Sequence, residues 1–101
     1  MNTDASFYVG IGRLELHVPG ARSLKEKRSH TRSLIERIRS RHQVLVSEVG
    51  HQDLYQRAAF AVCAFSADSV DVESRLRRVE RTIDENWSGN VLLWDVEIIQ
   101  V

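Results

Sequence analysis

Arg13-Leu14-Glu15-Leu16-His17-Val18-Pro19-Gly20-Ala21-Arg22-Ser23-Leu24-Lys25-Glu26-Lys27-Arg28 changes its periodicity halfway along. Up to Val18 apolar and polar residues alternate, the pattern of a strand with one dry face and one wet face. Pro19-Gly20-Ala21-Arg22 is a turn. Ser23 followed by Glu26 is a capping box, which satisfies amides that a helix start leaves unpaired. Beyond it Leu24, Thr31, Leu34, Ile35 and Ile38 share one face at helical spacing, and the helix continues to Arg41. Lys25, Arg28, Arg32 and Arg39 line one flank of that helix; His30, Arg37 and Arg41 occupy the other. Lys27 falls inside the apolar sector, where it has to snorkel or meet a partner.

Outward from this stretch, residues 7–18 form the first strand. Phe7, Val9 and Ile11 lie on the parity of the polar set, while Gly10 and Gly12 lie on the core parity. Glycines there serve either a close helix approach or a bulge that swaps the faces. Val44 to Val49 is a short second strand, followed by a polar connection from Gly50 to Gln56. Arg57 to Phe65 is a third strand, apolar on both parities, which implies a central position or a covering partner. Asp68 caps a second helix from Ser69 to Asn86, with Val72, Leu76, Val79 and Ile83 as its apolar stripe. Its Arg and Glu residues are interspersed, the arrangement of a solvated face. After the Ser88-Gly89-Asn90 turn, Val91 to Val101 is the last strand, with Leu92, Trp94, Val96 and Ile98 alternating against Asp95 and Glu97. The order βαββαβ, joined by right-handed crossovers, predicts an α+β ferredoxin-like sandwich. One four-stranded antiparallel sheet carries both helices on one face.

At 101 residues the chain is one domain with a single modest core. Lys plus Arg and Asp plus Glu balance at 14 each, yet residues 1–42 hold nine cations against four anions. That half is +5 and the remainder −5, a separation that points to one local anion-facing surface. Cys63 stands alone, so a reducing compartment is the simpler reading. The N-terminal stretch Met1 to Ser6 lacks the basic start and apolar run of a secretory signal. No apolar run approaches the length of about 20 residues that spans a membrane. The expectation is a cytoplasmic protein without a membrane partner.

Three groups of residues could carry chemistry. The flank of Lys25, Arg28, Arg32 and Arg39 could contact phosphates, because Lys and Arg supply most of the affinity of nucleic-acid surfaces; a solvated amphipathic helix explains the same residues. The corner of Arg22, Ser23, Lys25 and Lys27 could hold an anion at a helix start, unless the capping Ser23 already uses those amides. Acylphosphatases hold an anion after the first strand of this topology, but they need an Asn on the following strand, and Val44 to Val49 has none. His17, Glu48, His51 and Asp53 could form a polar cluster that moves protons, or His51-Gln52-Asp53 could be a hydrogen-bonded turn. No metal-ligand spacing supports a metal, and no cofactor is expected. Phe60 to Phe65 loosely echoes the base-stacking strand of RNA-recognition motifs, which core packing explains equally.

Two stretches carry a resemblance. Leu14 through Arg28 and His51-Gln52-Asp53-Leu54-Tyr55-Gln56-Arg57-Ala58 closely resemble the YlxP-like family of small bacterial proteins, a domain of unknown function, except that the family has Trp in place of Tyr55. The resemblance spans nearly the whole chain. It implies the same ferredoxin-like fold and, through gene neighbourhoods rich in translation-initiation and ribosome-maturation factors, a connection to RNA or the ribosome. It implies no activity.

The expected function is a non-enzymatic binding module that contacts RNA or a ribonucleoprotein through the first helix. A small anion- or metal-binding protein or enzyme built on the corner and His51 is the alternative, and a homomeric structural protein the third. A homodimer is expected through the open sheet face. Whichever parity of the third strand faces the helices, apolar side chains of the other must face away. Only a bulge near Gly10 to Gly12 would turn Phe7, Val9 and Ile11 inward.

Overall fold

The computed structural model describes residues 5–101. Residues 1–4, with Asp4 of the charge count and the opening of the N-terminal stretch, lie outside them. Six elements follow in the order β1 (Tyr8–His17), α1 (Leu24–His42), β2 (Leu45–Gly50), β3 (Arg57–Ser66), α2 (Ser69–Asn86) and β4 (Val91–Gln100). They form the ferredoxin-like sandwich: one sheet in the order β2-β3-β1-β4, every neighbouring pair antiparallel, with both helices on one face. Helix α2 lies across β1, β3 and β4, while α1 lies beside it over β2.

Local chemistry sets the helix ends. Ser23 Oγ accepts from the Glu26 amide at 3.1 Å, the first half of a capping box, while a Glu26 carboxylate oxygen reaches back past the cap to accept from the Arg22 amide at 2.7 Å. Asp68 caps α2 by accepting from the Val70 amide at 2.9 Å. Gly20 takes φ +77° in the turn before α1, a conformation open to glycine without strain.

The core lies between sheet and helices. Leu14, Leu16 and Val18 from β1, Ala58, Phe60, Val62 and Ala64 from β3, and Val46 from β2 meet Leu34, Ile35 and Ile38 of α1 and Val72, Leu76, Val79 and Ile83 of α2. The parity question is thereby answered: Phe60 and Val62 face the helices, and Ala59, Ala61, Cys63 and Phe65 face away. The glycines serve close approach and no bulge. A side chain at Gly10 would run into Val72 and lie 2.7 Å from Leu76 Cδ1, and one at Gly12 would meet the Trp94 ring at 2.6 Å. The β1–β3 register is unbroken from Tyr8 to His17. Irregularities fall elsewhere, between Glu15 and Leu16 on the β4 side and between Glu48 and Gly50 where β2 meets β3.

Strand β4 departs from its sequence pattern. Trp94 and Ile98 pack on the core, but Val96, on the same alternation, stays exposed at 38%, as does Leu92 at 47%, where the β1–β4 register shifts and breaks the alternation. Gly12, opposite Val96, offers no side chain to pack on, and the Trp94 ring already fills the space above it. At the sheet edge, among the described residues, no second element covers what remains.

The face away from the helices divides in two. At one end Phe7, Leu45, Phe65 and Ile99 are exposed beside Val9, Ile11 and Cys63, and the Phe7 and Phe65 rings meet edge-on with centroids 6.4 Å apart. At the other end Arg13 lies 3.6 Å from an Asp95 oxygen and 3.4 Å from a Glu97 oxygen. Among the described residues no helix is long and apolar enough to cross a membrane.

Candidate functional site

Helix α1 presents its polar side away from the sheet. Lys25, Arg28 and Arg32 are exposed and lie on one flank, three and four residues apart, so successive cations rise one helical turn at a time. None of them is within ion-pair distance of a carboxylate among the described residues: Glu26 is taken by the cap, and Glu36, one turn beyond Arg32, stays unpaired with it. Arg39 extends the row along the helix, but its guanidinium donates to the Val46 carbonyl at 2.7 Å and is tied to β2. On the other flank Arg37 bonds Asn86 of α2. On the flank that carries Lys25, the free cations among the described residues are thus those of the first half of the helix, and Arg41 is exposed at the far end on the other flank.

The anion corner is arranged differently from its reading in sequence. Ser23 and Glu26 satisfy each other's neighbourhood, so two of the amides an anion would use are already bonded. Lys27 is 2% exposed and turned inward. Its ammonium donates to the carbonyls of His51 at 2.8 Å and Arg57 at 3.1 Å, with a Glu48 oxygen at 3.4 Å. Two hydrogen bonds and an opposite charge answer the ammonium, which is the condition for burying it. Lys27 therefore clamps α1 to the β2–β3 connection and is unavailable to a ligand, leaving Arg22 and Lys25 exposed at the corner.

The expected polar cluster comes together with other members. His51 Nε2 lies 2.7 Å from Glu15 Oε1, and the Arg57 guanidinium donates to the same oxygen at 3.0 Å. The His51 hydrogen bond, with Arg57 and the His51 charge adding to it, holds the Glu15 carboxyl below its ordinary range against a partial burial that would raise it. An ionised carboxylate only accepts, so Nε2 carries the imidazole proton. His51 itself sits at φ +54°, held there by its carbonyl, which accepts from Lys27 and from the Leu54 amide at 3.0 Å. Glu48 belongs to Lys27 instead, Asp53 is exposed in the turn, and His17 lines a separate shallow depression with Leu54, Tyr55 and Arg57. Among the described residues no group of three or more His, Cys, Asp or Glu could hold a metal ion.

Glu15 and Arg57 were absent from the cluster read in sequence. Glu15 shows there only as a polar residue on the wet parity of β1. Its meeting with His51 depends on the antiparallel register of β1 with β3 and on the bulge that ends β2. Together Glu15, His51 and Arg13 border a depression of about 530 Å³ floored by Ile11, Ala59 and Ala61. A carboxylate on one imidazole nitrogen orients the other for proton exchange, so the arrangement can move a proton.

Comparison with known proteins places the chain by sequence and by shape. The family described as "Protein of unknown function (DUF503)" matches residues 9–97. "Uncharacterized protein YlxP" of Bacillus subtilis (strain 168) is 37% identical over 76 residues, covering 75% of this chain and 83% of that protein. A solved structure titled "De novo designed protein Foldit4" superposes with a TM-score of 0.54 at 19% identity, covering 96% of this chain and 97% of the other. That likeness is one of fold alone.

Proposed function

The chain belongs to the DUF503 family of proteins of unknown function, and from that premise we propose that it is a non-enzymatic binding module that contacts RNA, free or within a ribosomal particle, through the outer flank of α1. One observation carries the reading: Lys25, Arg28 and Arg32 stand in a row, exposed and in no ion pair among the described residues, although Glu36 lies one turn beyond Arg32. Cations that serve only solubility are usually interleaved with acids. A row left unpaired has its full field available to a phosphate backbone, and binding there gains from counterion release. The free thiol of Cys63 fits a reducing compartment such as the cytoplasm. Filter binding to total RNA over a salt series tests the proposal. The wild type binds at low salt with a steep salt dependence, and no binding at low salt would end this reading.

A second reading concerns self-association. The apolar end of the open face, with Phe7, Leu45 and Phe65 exposed around a depression of about 800 Å³, is the kind of patch that monomers rarely leave to water. A twofold dimer packing sheet on sheet would bury it and leave Arg13 near the rim. Sedimentation equilibrium at micromolar concentration should give a dimer mass for the wild type and a monomer mass for Phe65→Glu; a monomer throughout would refute it.

A further inference from the structure

The two edges of the sheet are finished in different ways. Phe7 and Val101 exchange both backbone hydrogen bonds, at 3.3 and 2.8 Å. Alternation along the antiparallel ladder then points the backbone groups of Leu93, Asp95, Glu97 and Ile99 at β1. Those of Trp94, Val96, Ile98 and Gln100 point outward. The same parity, carried across β1 and β3, points Val46 and Glu48 of β2 outward at the opposite edge. There both carbonyls are capped, Val46 by Arg39 at 2.7 Å and Glu48 by the Gln52 side-chain amide at 3.2 Å. Strand β2 is also short, at 6 residues, and ends in a bulge.

Strand β4 shares only the bulge, at its start, where Leu92 is the extra residue against Glu15 and Leu16; among the described residues it has neither the caps nor the shortness of β2. It runs for 10 residues, and its sequence VLLWDVEIIQ contains no proline, lysine or arginine. Among the described residues no side chain caps its outward groups. Val91, Leu92, Leu93, Val96 and Ile99 are exposed along it. Beyond the bulge, the regular edge from Leu93 to Gln100 lacks such devices and is a template for a further strand.

We propose that the outer edge of β4 is a docking site for an extended cationic segment of another protein, which adds to the sheet as a fifth strand. Charge selects the occupant. Asp95 and Glu97 stand on the open-face side and share the single cation Arg13, so the edge carries an acidic excess. A second copy pairing antiparallel over the whole strand would set these acids opposite the same acids, which destabilises a ladder. A guest strand with Lys or Arg opposite Asp95 and Glu97, and apolar residues between them beside Trp94, Val96 and Ile98, satisfies both faces. This site is independent of the α1 flank, which lies toward the β2 edge.

The probe is a capped nonapeptide that alternates lysine with valine or threonine, with a counterpart carrying glutamate for lysine. Binding is read by fluorescence anisotropy, and amide hydrogen exchange of the protein locates it. The lysine peptide should bind at least about tenfold more tightly than the glutamate one and slow exchange at Trp94, Val96 and Ile98. Val96→Pro removes an outward N–H and leaves the β1 ladder intact, so it should weaken the lysine peptide at least about tenfold. Should that variant fold poorly, Asp95→Lys with Glu97→Lys gives a second route and should reverse the preference between the peptides. Equal binding by wild type and Val96→Pro would reduce the effect to general charge attraction and overturn the proposal. Outward amides that slow in the free protein as its concentration rises would give the edge to a second copy, and no slowing at millimolar peptide would leave it without a guest. Either result overturns the proposal.

Discussion

Helices α1 and α2 lie side by side on the same sheet and have similar lengths, 19 and 18 residues, yet only α2 pairs any of its cations with acids of its own helix. On α2, Arg75 meets Asp71 and Arg77 meets Glu73, each one turn away, so half of its arginines are answered within the helix, while Arg78 donates to the Ser74 hydroxyl. On α1 one cation, Lys27, is driven into the interior and bonded there, while Lys25, Arg28 and Arg32 remain outside with no answering acid among the described residues. Composition hides this contrast. A helix full of arginine reads as a binding surface only when its pairing is known, and pairing is a property of the fold.

The sharpest way to break the contrast is at Lys27. Lys27→Met leaves Glu48 and the Arg57 carbonyl without the ammonium and takes one of two donors from the His51 carbonyl; it should lower stability by about 3 kcal/mol, whereas Arg77→Met, losing an exposed pair, should cost about 0.5 kcal/mol. Urea unfolding midpoints measure both, and similar midpoints for the two variants would contradict the clamp. Next in size is the effect on RNA. Replacing Lys25, Arg28 and Arg32 with Gln should lower the log–log salt slope by about 2, while Gln at Arg77, Arg78 and Arg81 should leave it unchanged. Equal losses from the two helices would mean that total charge matters and the α1 row does not.

The smallest effect sharpens the comparison at the far end of α1. His42 is hydrogen-bonded to Thr82 at 2.7 Å, and burial, with Arg78 and Arg41 nearby, lowers its pKa. The unfolded chain therefore takes up the proton first as pH falls. Stability is fully present above about pH 6.5 and declines below it. Between pH 7 and 5 the melting temperature should fall, and His42→Gln should flatten that fall by about 2 °C. Glu15, also lowered, acts in a separate window: its contribution holds above the ordinary carboxylate range and is lost as pH falls through its lowered value. An unchanged slope in His42→Gln would assign the fall to other groups.

Much of the architecture was legible because period-two and helical patterns rarely overlap here. The strand, turn and capped helix around Pro19 to Glu26 specify one another locally, and both caps form as their sequences indicate. Lys27 was legible as a misfit on an apolar face, but its partners were not, since they come from the turn between β2 and β3. His51 was visible as a candidate and Glu15 was not, because their meeting requires the strand register and a bulge that no local pattern announces. The exposure of Val96 was hidden for a similar reason: alternation shows which way a side chain points and says nothing of whether anything lies there to cover it.

The Trp94 ring over Gly12 makes two distant positions into one. The indole occupies volume that a residue on β1 would otherwise fill, so neither site has a preferred size by itself. Gly12→Ala alone pushes into the indole; joined to Trp94→Leu the same change fills the space the smaller side chain leaves. The two substitutions are non-additive in the way of groups that share a cavity. In a collection of relatives such a site would register as covariation, a bulky residue passing back and forth between two strands while the sum of their sizes stays constant.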